Sequence, residues 1–176
     1  MGWLGKRNSD VILGLARPRD TKAPGSIASP AIDELRSTRL KAVLAIWQDK
    51  SPGSDSLPPG EEFDILDYAV AMGNVSLVSV QRDPLDFIFR VHCVNAASYL
   101  DEDMTGRSVK DYRDPQFSEL VRTVFARATE NRRAHVIIED VLMADNRVAR
   151  WEAAVMPLQD NEGQVSSLVV AFEILN

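Results

Sequence analysis

The amino-acid sequence predicts an α+β fold, a five-stranded antiparallel sheet with helices packed on one face. Three observations carry this expectation. From Val75 onward the hydrophobic patterning runs strand, strand, helices, strand, strand, strand. Turn-forming clusters separate the consecutive strands, which makes them hairpins. Helices grouped between the second and third strands must then lie together on a face of the sheet.

With 176 residues, 45% of them hydrophobic, the chain suits one core of about 100 to 150 residues and a flanking arm. The formal charge of -6 and pI near 5.0 argue against nucleic acid as a partner, because phosphate binding relies on clustered Lys and Arg. Cys93 is the single cysteine, so no disulfide within the chain and no cysteine-built zinc site is available. The apolar stretch from Val11 to Ala16 is too short to span a bilayer, and Arg17 and Arg19 follow it instead of a cleavage site. A soluble, cytoplasmic protein with no membrane partner is expected.

Residues 1–29 form a basic arm expected to be loosely ordered, with Lys6, Arg7, Arg17, Arg19 and Lys22 against Asp10 and Asp20. Residues 30–50 read as a leading helix: Ser29 caps it, Pro30 takes its first position, and Asp33 and Glu34 sit in its first turn. Ile32, Leu35, Leu40, Val43, Leu44 and Trp47 form its apolar stripe. Residues 51–56 break the helix, and residues 57–176 hold the main domain.

In that domain the strands are expected at Val75 to Val80, Phe87 to Val94, His135 to Met143, Val148 to Met156 and Val165 to Ile174. Alternation assigns Phe87, Phe89, Val91 and Cys93 to the core face of the second strand. A short helix is expected from Asn95 to Leu100, and a longer one from Asp114-Pro115 to Asn131 with Phe117, Leu120, Val121, Val124, Phe125 and Ala128 inward. In the last strand Leu168, Val170, Phe172 and Ile174 share one face, while Val169 and Ala171 make the other face apolar as well. Something must therefore cover the second face. The two candidates are the chain's own leading helix and the same surface of another copy.

This order of elements resembles PAS domains. The stretch Phe87 to Asn95, the turn Asp103-Met104-Thr105-Gly106-Arg107-Ser108, the pair Trp151-Glu152 and the run Met156-Pro157-Leu158 with Asp160 and Gly163 resemble an alphaproteobacterial PAS subfamily of stand-alone, sensor-like domains. Coverage runs from about residue 35 to the C-terminus. The resemblance implies a bacterial PAS-like α+β fold with a role in signal transduction.

Catalytic chemistry finds few residues. Asp101, Glu102 and Asp103 are adjacent and expected to splay as a solvated turn, and no nucleophile-base order, metal-protease motif or phosphate loop is visible. No enzymatic activity is expected. Haem is disfavoured because His92 has the opposite parity to the core face and His135 follows Arg132 and Arg133 in a polar approach. Flavin is disfavoured because Cys93 lacks the Asn-Cys-Arg setting of light-sensing PAS domains, so the cofactor remains unknown. Arg107 is expected to hold local carbonyls or a carboxylate.

Two functions fit. The first is a sensor that binds a small, mostly apolar ligand between sheet and helices, drawing on Phe89, Val91, Cys93, Tyr99, Phe117, Val121, Phe125 and Trp151. No effector domain is expected after Asn176, and the output is expected to pass to a partner signalling protein. The second is a ligand-free interaction module. In either case a homodimer is expected, with Leu40, Val43, Leu44 and Trp47 as its interface.

Overall fold

The computed structural model describes residues 32–53, 55–142 and 148–175. The basic arm, the Ser29-Pro30 cap and the Asp145-Asn146 turn lie outside the described residues. After a turn at Ile32–Glu34, the leading helix α1 spans Thr38–Asp49. It starts later than expected because Ser37 caps it, its hydroxyl accepting the Leu40 N–H at 3.0 Å. The backbone N–H groups of Arg36 and Ser37 are drawn off to the Glu152 carboxylate at 2.8–2.9 Å, which holds the preceding residues out of the helix. Turns at Gly60–Glu62 and Ile65–Ala71 lead to the sheet.

Strands β1 (Val75–Gln81), β2 (Asp86–Val91), β3 (His135–Leu142), β4 (Val148–Gln159) and β5 (Val165–Leu175) form one sheet in the order β2-β1-β5-β4-β3. Every neighbouring pair is antiparallel. Between β2 and β3 run α2 (Val94–Leu100), a turn at Val109–Asp111 and α3 (Pro115–Asn131). Asp114 caps α3 by accepting the N–H groups of Gln116 at 2.8 Å and Phe117 at 3.3 Å, and Pro115 occupies the first turn, where its missing N–H costs nothing. Phe117, Val121, Val124, Phe125 and Ala128 are buried, as the spacing predicts.

The pairing of β2 departs from simple alternation. Leu77 pairs with Val91 while the next residue, Val78, pairs with Phe89, so Arg90 is the extra residue of a bulge. The parity of β2 reverses there. Val91 is 42% exposed, and the adjacent His92 and Cys93 are both buried. Assigning Val91 to the core is thus corrected, and so is the outward parity of His92. The strand ends at Val91, and Cys93 becomes the cap residue of α2.

The apolar second face of the sheet is covered by the chain's own helix, since α1 rests on β4 and β5. Leu40, Val43, Leu44 and Trp47 are all buried within this one chain. The Trp47 indole N–H donates to the carbonyl of Pro157 at 2.9 Å, fixing the end of α1 to β4. As placed, these four side chains face the chain's own sheet rather than a second copy.

Candidate functional site

The inner face of the sheet and the helices α2 and α3 enclose a cavity. Its walls are aromatic: Tyr112 meets Phe117 edge-on with centroids 4.9 Å apart, Phe117 lies 5.2 Å from Trp151, and Trp151 lies 5.8 Å from Phe172. Phe89 closes the ring through Tyr112 at 5.9 Å and reaches Phe125 at 6.2 Å. These spacings are those of favourable edge and tilted contacts, which stiffen the walls. The space admits water centres over about 60 Å³. That is more space than a single water needs, so the cavity can take a small molecule.

Of the residues the sequence nominates, Phe89, Cys93, Phe117, Val121, Phe125 and Trp151 line this cavity. Tyr99 stands behind the wall, its ring 5.9 Å from that of Trp151. Val91 faces away because of the bulge. Ala153, which stands at strand spacing from Trp151, lines the cavity too, while sequence reasoning missed Phe172, which counting in twos from Val170 reaches directly, and Glu139, which shares a parity with Ile137. Tyr112 sits just beyond a short turn, where no periodicity marks it.

The polar groups of the cavity divide into engaged and unengaged. Ser76 Oγ accepts the Cys93 N–H at 2.9 Å. His92 Nδ1 accepts the Met104 N–H at 3.2 Å, which assigns the ring proton to Nε2. Burial lowers the pKa of His92 against the opposing pull of Asp103 and Glu102, so it is neutral near pH 7. Burial also raises the pKa of the Cys93 thiol, leaving it protonated and unreactive. By contrast, the buried indole Nε1–H of Trp151 has no hydrogen-bond partner among the described residues. Desolvation raises the pKa of Glu139, and the neighbouring Asp140 carboxylate adds to it.

The Gly106-Arg107 turn flanks the cavity. Gly106 N–H donates to the Phe89 carbonyl at 2.7 Å and Phe89 N–H to the Arg107 carbonyl at 3.0 Å, so this turn seals the free edge of β2. Arg107 bonds the Glu102 carboxylate at 3.1 Å and the Asp111 carbonyl at 2.6 Å, a local role as its position predicts. Glu102 itself corrects the expectation of a solvated acidic turn. It is buried and also accepts the Arg113 N–H at 3.2 Å.

Among the described residues no cluster of His, Cys, Asp and Glu could hold a metal ion, and no helix is long and apolar enough to cross a membrane. No family model matches the chain, and no curated protein matches it. Solved structures do resemble it at a distance. A light-oxygen-voltage domain studied with a flavin analogue shares 17% identity over 66% of this chain and 89% of that one, with a TM-score of 0.45. A PAS domain from Colwellia psychrerythraea shares 14% identity over 62% and 96%, with a TM-score of 0.41. The Vibrio cholerae VqmA dimer structure shares 7% identity over 65% of this chain, which spans about half, 52%, of that one, with a TM-score of 0.47. The sheet order β2-β1-β5-β4-β3, with the helices inserted between β2 and β3, settles the fold class. The fold is PAS-like. In this PAS-like frame the cavity lies on the inner face and α1 on the outer one, with β4 between them.

Proposed function

We propose that the chain is a sensory domain that takes a small, mostly apolar ligand into the inner cavity and reports its presence through α1. The observation that carries this reading is the pair Trp151-Glu152. Trp151 lines the cavity. Glu152, the next residue of β4, points to the opposite face, where it is 0% exposed and holds the backbone N–H groups of Arg36 and Ser37. A ligand that moves the indole therefore acts on the strand that anchors the start of α1. Output then passes to a partner signalling protein.

A second reading, a ligand-free interaction module, is favoured by the exposed apolar residues Leu66, Val70, Met72 and Val94, since exposed apolar patches mark contact surfaces. A native mass spectrum beside a denaturing one separates the two. A small molecule retained only in the native spectrum supports the sensor. Its repeated absence, together with a surviving dimer, supports the module.

A further inference from the structure

The cavity carries information about the chemistry of its occupant. Glu139 and Trp151 are direct cross-strand partners of β3 and β4. Side chains so paired stand on one face of the sheet with Cβ atoms about 5 Å apart. Both line the cavity. One offers a donor without an acceptor, the buried Trp151 Nε1–H. The other offers an acceptor, a carboxylate with a raised pKa whose solvent-facing position places it at the cavity mouth. A buried N–H left unpaired is costly, and most such groups in native proteins find a partner.

Resting on the sensory reading above, we propose that the cavity binds a small, neutral nitrogen heterocycle whose polar edge carries an acceptor beside an N–H donor. The acceptor takes the Trp151 Nε1–H, and the donor gives its hydrogen to Glu139. The rest of the ring is apolar and lies among Phe89, Phe117, Phe125 and Phe172. Size follows from the space, which suits a small ligand. Orientation follows from the mouth: the polar edge stays near Glu139, and the carbon edge goes in first.

The test titrates the full chain with 2-pyridone, which has the adjacent acceptor and donor, and with 2-pyrone, in which a ring oxygen replaces the N–H. Toluene and benzylamine serve as an apolar and a cationic ring. Binding is followed by calorimetry and by the indole N–H resonance of Trp151, assigned with Trp151→Phe. The expected result is that 2-pyridone binds and shifts that resonance, and that 2-pyrone binds about tenfold or more weakly, as the loss of a charge-assisted hydrogen bond implies. Glu139→Ala, a change at the cavity mouth, removes this advantage: 2-pyridone loses affinity, while 2-pyrone, whose ring oxygen faces the carboxylate, does not. If toluene or 2-pyrone binds as tightly as 2-pyridone, the heterocycle edge is overturned while the sensory cavity stands. If benzylamine binds most tightly, the site is one for a cation and the proposal is likewise overturned. If none of the four rings binds, the cavity reading falls as well.

Discussion

Glu152 is the residue on which the two faces of the sheet meet. Burial alone pushes its pKa up, but the N–H groups of Ser37 and Arg36 and the guanidinium of Arg150 outweigh this and hold it below the ordinary 4.5. A depressed folded pKa means that the ionised group stabilises the fold above pH 4.5 and that this contribution is lost as pH falls through the folded value. Wild-type stability is therefore expected to drop below pH 4.5 more steeply than that of Glu152→Gln, as read by urea midpoints at pH 7 and pH 4. Glu152→Ala, which leaves two backbone donors without their acceptor and leaves Arg150 with only the Glu34 carbonyl, is expected to cost about 3 kcal/mol at pH 7. Tyr68 presents the opposite case. Its hydroxyl is buried without a partner among the described residues, and burial, with the Asp67 charge beside it, pushes its pKa up to about 12. Tyr68→Phe removes only that unpaired group, so a gain of about 1 kcal/mol is expected in the same urea measurement.

At the scale of elements, α1 behaves as a built-in cover. Leu40 is completely buried in its contact with the sheet side of the chain, and truncation of such a residue costs about 2–5 kcal/mol. Leu40→Ala is expected to lower stability by about 3 kcal/mol and to increase binding of a hydrophobic dye, because the outer face of β4 and β5 opens. An unchanged midpoint with unchanged dye signal would rule out that covering role. The need for a cover was legible in the sequence, since β5 carries apolar residues of both parities; its identity was not, because a helix of this chain and one of a copy satisfy the same pattern. The cavity wall was legible wherever periodicity is regular, as at Phe117, Val121 and Phe125 on α3. It was lost at Val91 and His92, where the bulge at Arg90 reverses the alternation without any glycine or proline to announce it. The start of α1 was misplaced for a related reason. Ser29-Pro30 and Ser37 are both good helix starts locally, and the choice of Ser37 is made by Glu152, a residue 115 positions away.

For the whole molecule, the arrangement makes a demand that neither face makes alone. If occupancy of the inner cavity changes how firmly β4 holds α1, then loosening α1 must change the affinity of the cavity by the same factor, because coupling between two sites is reciprocal. Glu152→Gln supplies the perturbation: its side chain lies on the outer face, where it bonds Arg36, Ser37 and Arg150, none of which lines the cavity, and the substitution retains the shape of the side chain. A change of about fivefold or more in the affinity of whichever single-ring compound binds is expected, the lower end of ordinary coupling energies. Amide hydrogen exchange at Arg36 and Ser37, the two donors to Glu152, should shift when that compound is added to the wild-type chain. The two measurements must agree in sign: a ligand that speeds exchange at these amides has to bind Glu152→Gln more tightly, and one that slows it has to bind more weakly. Equal affinity for both proteins, with exchange at Arg36 and Ser37 unmoved, would show that the sheet insulates the cavity from α1 and that any signal leaves by another route.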